Sequence, residues 1–89
     1  MLLIEFFTEF IGTFIFLSVI LKTGDALAIG IALAAVIYFG GKVSGGNFNP
    51  AVSFMMLLSN KIDITKFIVF VVAQLLGGAF AFIYHSYTK

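Results

Sequence analysis

The residues best equipped for chemistry sit in Ser44-Gly45-Gly46-Asn47-Phe48-Asn49-Pro50-Ala51-Val52-Ser53, around the chain's one proline. Asn49 directly before Pro50 reads as a helix N-cap followed by the first helical position. The Asn49 side-chain oxygen can hold the helix start, which leaves its amide NH₂ free to donate to a water or a hydroxyl. A helix N-terminus adds roughly half a positive charge there, enough to disfavour cations and hydronium. The competing reading is an ordinary helix cap. Two acids, Glu5 and Glu9, lie one turn apart in an apolar run. An intramembrane carboxylate at Glu9 would suit a proton relay, whereas Glu5, nearer the surface, reads as solvated. Paired acids for hydrolysis are not expected, because no substrate-binding polar cluster accompanies them. Gln74 suits an interhelical hydrogen bond, and His85, the one histidine, reads as a solvated tail residue. With no cysteine there is no disulfide, thiolate metal site or thiol nucleophile. Neither an enzyme nor a metal or other cofactor is expected.

The elements that must position these groups are apolar helices. Of 89 residues, 62% are hydrophobic and 10% charged, and the mean hydropathy is +1.18. That composition describes a multi-pass membrane protein whose first partner is the lipid bilayer. A net charge of +1 on five lysines and no arginine leaves no nucleic-acid footprint. The apolar runs predict spans over 4–21, 26–42 and 64–85, separated by Lys22-Thr23-Gly24-Asp25 and Asn60-Lys61-Ile62-Asp63. The first run carries Glu5 and is too long for a cleaved leader. Its Glu5, Glu9, Gly12 and Thr13 share one face, an inner side. Tyr84, His85, Ser86, Tyr87 and Lys89 read as a wet tail. Between the second and third spans, 50–59 predicts a short helix of about ten residues rising ~15 Å, half of a ~30 Å hydrocarbon core. Entered through Gly45 and Gly46, it reads as a re-entrant segment: coil in to the midplane, helix back out. The expected fold is all-α, three transmembrane helices plus one re-entrant half-helix, in a single unit over 1–89.

Three motifs in this order carry a resemblance. Glu9-Phe10-Ile11-Gly12-Thr13-Phe14, then Ser44-Gly45-Gly46 with Asn49-Pro50-Ala51-Val52-Ser53, then Ala73-Gln74-Leu75-Leu76-Gly77-Gly78 resemble the N-terminal half of an aquaporin, of the major intrinsic protein family. The usual member is an inverted repeat of two such halves, whose Asn-Pro-Ala half-helices meet at the midplane. The resemblance therefore implies a half-length channel subunit for water and small neutral solutes of the glycerol or urea class. It would work as an inverted homodimer, with a tetramer of dimers as a larger form. The alternative is a non-conducting piece, either a truncated fragment or an interaction subunit of a full-length relative.

The same resemblance assigns roles. Glu9 and Gln74 would support the re-entrant loop, and Pro50 and Ala51 would fit the facing half-helices together. Ile29, Ile37 of a second copy, Val52 and backbone near Gly46 would form the terminal constrictions, with no filter arginine. Lys42 either lines the inner vestibule or snorkels to the interface. Lys42, Lys61 and Lys66 lie towards one side of the membrane, and Lys22 and Lys89 towards the other. So weak a bias predicts insertion both ways up.

Overall fold

The computed structural model describes residues 1–88. It has α1 (Leu2–Lys22), α2 (Ala26–Ser44), α3 (Pro50–Leu58) and α4 (Ile64–Thr88), with no strand among the described residues. Three of these, α1, α2 and α4, are long and apolar enough to cross a membrane. The nine residues of α3 rise only ~13 Å. The chain is an all-α, multi-pass membrane protein. Aspartates start two of the long helices. Asp25 Oδ2 accepts from Ala28 N–H at 3.1 Å, and Asp63 Oδ1 accepts from Lys66 N–H at 2.8 Å.

Helix α1 is the centre, packed between α2 and α4, while α3 packs on α4. Helices α1 and α4 run in the same direction, as their contacts climb in step. Glu5 pairs with Lys66 at 3.2 Å; Phe10 meets the Phe80 ring at 5.3 Å and Phe14 the Tyr84 ring at 5.8 Å. Gly77 makes the approach possible, since a Cβ there would lie 2.8 Å from the Phe10 carbonyl oxygen. In lipid, close backbone contact of this kind drives helix association where burial from water cannot.

Two expectations need correction. The third helix does not end at 85: α4 runs through Tyr84 and His85 to Thr88, with Tyr84, Ser86 and Tyr87 exposed on it. No glycine or proline follows Gly78 to stop it, and Lys22 Nζ donates to the Thr88 carbonyl at 3.2 Å. His85 is half-buried, and its Nδ1 is enclosed without a partner among the described residues. Lys89, assigned to the same tail, lies outside the described residues. Glu5, too, is not solvated. Its side chain is 12% exposed against Lys66, because the parallel packing brings the first turns of α1 and α4 together.

The loop from α2 to α3 is held by Phe48. Gly45 (φ 92°) and Gly46 (φ 69°) turn the chain through the left-handed region, and Phe48 (φ 53°) joins them there. A non-glycine residue in that region costs ~1–2 kcal/mol. Its ring, 2% exposed, wedges between α1 and α2. A Cβ on Gly12 would overlap it, and one on Gly40 would come within 2.9 Å. The wedge sets the depth of the loop, so that α3 begins beside Thr13 of α1 and Gln74 of α4. Thr13 is close to the middle of α1, so α3 starts at mid-bundle. It returns towards the start of α4, where Phe54 meets the Phe67 ring at 6.1 Å.

Candidate functional site

Glu9 is the hub of the interior. Fully buried, it accepts at Oε2 from Ser44 Oγ (2.6 Å) and Asn47 N–H (3.1 Å). At Oε1 it accepts from Phe48 N–H (2.7 Å) and Gln74 Nε2 (2.8 Å). Four donors from α2, the loop and α4 thus converge on one carboxyl group of α1. Two of them are backbone N–H groups of the irregular stretch, which would otherwise be unpaired inside the bundle. Gln74 Nε2 also donates to Ser53 Oγ at 2.8 Å, and Ser53 Oγ accepts from Asn47 Nδ2 at 2.9 Å. Glu9, Ser44, Asn47, Ser53 and Gln74 form one buried network.

Ser44, Asn47 and Ser53 were missed as site residues by sequence reasoning. The available signal was that each is a small polar residue flanking or entering an apolar helix; nothing local said that they share partners.

Asn49 caps α3 as its type suggests, with Oδ1 accepting from Ala51 N–H at 2.8 Å. Its backbone is extended (φ −163°, ψ 126°), and Pro50 supplies the first helical residue without a wasted donor. Asn49 Nδ2 has no hydrogen bond to the described residues, and Asn49 is exposed. It opens on a groove of about 380 Å³ shared with Thr13, Phe16, Pro50, Gln74 and Gly78. Two buried acceptors or donors lining that groove, Thr13 Oγ1 and Gln74 Oε1, lack partners among the described residues. The groove therefore combines a free amide donor, the positive end of a helix, a hydroxyl and an amide oxygen on otherwise apolar walls.

The remaining residues singled out in the sequence are not gathered there. Gly46 stands against α2, where a Cβ would lie 3.5 Å from Ile37 Cα. Ile37 is 43% exposed, Ile29 is half-buried near the start of α2, and Lys42 is exposed in its last turn. Val52 is half-buried and Ala51 exposed on α3. Within one chain these positions do not enclose a passage.

Residues 22–88 match the family model for the major intrinsic protein family. Glycerol uptake facilitator protein-like 6 of Lactiplantibacillus plantarum is 41% identical over 86 residues, covering 86% of this chain and 40% of that protein. Aquaporin PIP1-6 of Zea mays is 37% identical over 87 residues, covering 79% of this chain and 29% of that protein. The lens fiber major intrinsic protein of Ovis aries is 45% identical over 53 residues, covering 60% of this chain and 20% of that protein. The chain thus spans well under half the length of each of these relatives. No solved structure matches at a significant level. The family match takes in most of the chain, α2 through α4 entire, and the chain belongs to the major intrinsic protein family.

Proposed function

We propose that this chain is a half-length channel subunit that passes water and small neutral solutes once two copies assemble with opposite orientations in the membrane. Its family membership and its likeness to proteins named as a glycerol uptake facilitator and as aquaporins support a channel over an enzyme. One observation carries the reading. A helix N-terminus begins at mid-bundle with Asn49 exposed and its amide NH₂ unspent. Left facing lipid, such a terminus would cost several kcal/mol per unsatisfied group. A second copy related by an in-plane two-fold axis covers it and brings two amide donors and two positive helix ends to the midplane.

Glu9 serves this reading as a scaffold. Its carboxyl oxygens are taken up by four donors, and no oxygen is left facing the groove for proton relay. Asn49 is the solute contact, with Pro50 and Ala51 shaping the fit of the half-helices. Ile29, Ile37 of the second copy, Val52 and backbone at Gly46 form the end constrictions, and Lys42 lies at the mouth.

Liposomes containing only this chain test the proposal. Shrinkage under an osmotic step should be faster than in empty liposomes, with glycerol and urea entering and little ion current. Fluxes equal to those of empty liposomes, with correctly folded protein present, would leave the chain a non-conducting subunit.

A further inference from the structure

We infer that the buried Glu9 carboxylate has a second task beside holding the loop: it keeps anions out of the proposed passage. The inference rests on that channel reading. Two copies meeting at Asn49 would bring two positive helix ends and two amide donors to one point. Such a point opposes cations, and by the same sign it draws anions in. The proposed constrictions do not answer this attraction, because Ile29, Ile37, Val52 and Gly46 carry no charge. The chain's full charges other than Glu9 sit at the ends of the helices. Lys66 pairs with Glu5 in the first turns of α4 and α1, Lys22 holds the end of α4, and Lys42 stands in the last turn of α2. Asp25 and Asp63 cap helix starts. Glu9 alone among the described residues puts a full charge inside the bundle, one turn from Thr13 at the middle of α1, and no ammonium neutralises it there.

The charge follows from the partners. Asn47 N–H, Phe48 N–H and Gln74 Nε2 are donors only. Ser44 Oγ is the one neighbour that could take a proton, but it already accepts from Gly46 N–H at 3.3 Å. Its own hydrogen goes to Glu9 Oε2 at 2.6 Å, with the Gly40 carbonyl farther off at 3.4 Å. No acceptor is left for an acid proton, so the group is a carboxylate. Its reach follows from the chain. Phe48 directly precedes Asn49, which puts Glu9 Oε1 within ~8 Å of the Asn49 Cα. At that range, buried and little screened, a full negative charge outweighs the half charge of the helix end for an approaching anion. A cation meets the opposite order. The Asn49 amide and the helix end face it at contact, while Glu9 is fully buried behind the loop. Neutral solutes feel neither barrier.

Liposomes holding only the unaltered chain, Glu9→Gln or Glu9→Asp separate the charge from the scaffold. Water flux is read from shrinkage, chloride flux from a chloride-quenched dye with valinomycin present, and potassium flux from a potassium-sensitive dye without it. Glu9→Gln keeps an acceptor and removes the charge. Its ratio of chloride to water flux should rise about tenfold, with the ratio of potassium to water flux unchanged. Glu9→Asp keeps the charge in a looser network and should exclude chloride as the unaltered chain does. Should Glu9→Gln not fold, carbon-13 NMR of the Glu5→Gln protein decides, because Glu9 is then the only glutamate. A carboxylate signal at neutral pH is expected, and a protonated acid overturns the inference. So does a water-passing Glu9→Gln that stays tight to chloride, or one that leaks chloride and potassium alike as a loosened bundle would; both leave the channel reading standing. An unaltered chain that passes no water removes the channel reading itself, and the task of Glu9 with it.

Discussion

Phe48 N–H donates to Glu9 Oε1 at 2.7 Å across 39 residues of sequence, while the Phe48 ring fills the space left by Gly12 and Gly40. One residue is thus held twice, by its backbone to a carboxyl group and by its side chain to two glycines. The double hold explains how a phenylalanine remains at φ 53°. It also explains how coil persists at the depth of a helical bundle, where each unpaired backbone group is costly.

Removing the carboxyl group tests the backbone hold. Glu9→Ala strips partners from Asn47 N–H, Phe48 N–H, Ser44 Oγ and one proton of Gln74 Nε2. Buried groups left unpaired cost ~1–3 kcal/mol each, and the loop can recover only some by moving. The expected loss is about 3–5 kcal/mol, read as a large fall in Tm in mild detergent. Glu9→Gln, which keeps one oxygen acceptor, should fall between. A Glu9→Ala protein melting with the unaltered chain would show that the loop does not depend on this hub.

Removing the space tests the side-chain hold. Gly12→Ala puts a methyl group into the Phe48 ring and should cost ~1–3 kcal/mol as overpacking. Gly30→Ala, with nothing within 4 Å of the added carbon, should be neutral or gain up to ~1 kcal/mol of helix propensity. Phe48→Leu should recover part of the Gly12→Ala loss. A double-mutant cycle with no coupling between positions 12 and 48 would refute the wedge.

What the sequence made legible follows from the range of each interaction. The three long helices and the start of α3 were readable because apolar run length and the Asn49-Pro50 cap are local properties. The hydrogen-bond network was not readable in the same way. Ser44 meets Glu9 across 35 residues and Gln74 meets it across 65, and no local pattern marks Ser53 as the acceptor that Asn47 and Gln74 share. Glu9 and Gln74 stood out as polar groups in apolar runs, but their loop-supporting role came only from the resemblance, and the pairing of Glu5 with Lys66 was missed. That pairing depends on α1 and α4 running in parallel at one register, which tertiary contacts fix, among them the close approach at Gly77 and the Glu9–Gln74 hydrogen bond. The end of α4 was placed three residues early because polar composition was taken for a helix stop, although nothing there breaks a helix; Tyr84, Ser86 and Tyr87 are exposed as their types suggest.

Thr13 separates the needs of one chain from the needs of a pair. It is 1% exposed, and its hydroxyl has no partner among the described residues. Thr13→Val keeps the shape and removes the unpaired group, so the lone subunit should gain ~1 kcal/mol and melt higher in dilute detergent. If a second copy supplies the missing partner, the same change should lower association in liposomes, measured by energy transfer between labelled copies. A higher Tm with unchanged association would mean that the hydroxyl does not serve the second copy.

Selectivity gives the sharpest test of the proposed pore. Two half-helix N-termini at the midplane oppose cations whatever the end constrictions are made of. In the proposed pore those constrictions would be built from Ile29, Ile37 of the second copy, Val52 and backbone at Gly46, and would present few donors and no fixed charge. A neutral polyol is then excluded weakly by size, so passage should be permissive and slow, with glycerol and urea moving alongside water. Val52 is half-buried on the first turn of α3, and Val52→Arg would insert a long cationic fork into the proposed path. Glycerol flux should fall by about tenfold and water flux by less, in stopped-flow measurements on reconstituted protein. Insertion both ways up is required for the pair, and reporter fusions at the C-terminus should show both orientations with no partner protein present. If Val52→Arg leaves glycerol and water fluxes untouched while both orientations are found, the pair stands and Val52 does not line its passage.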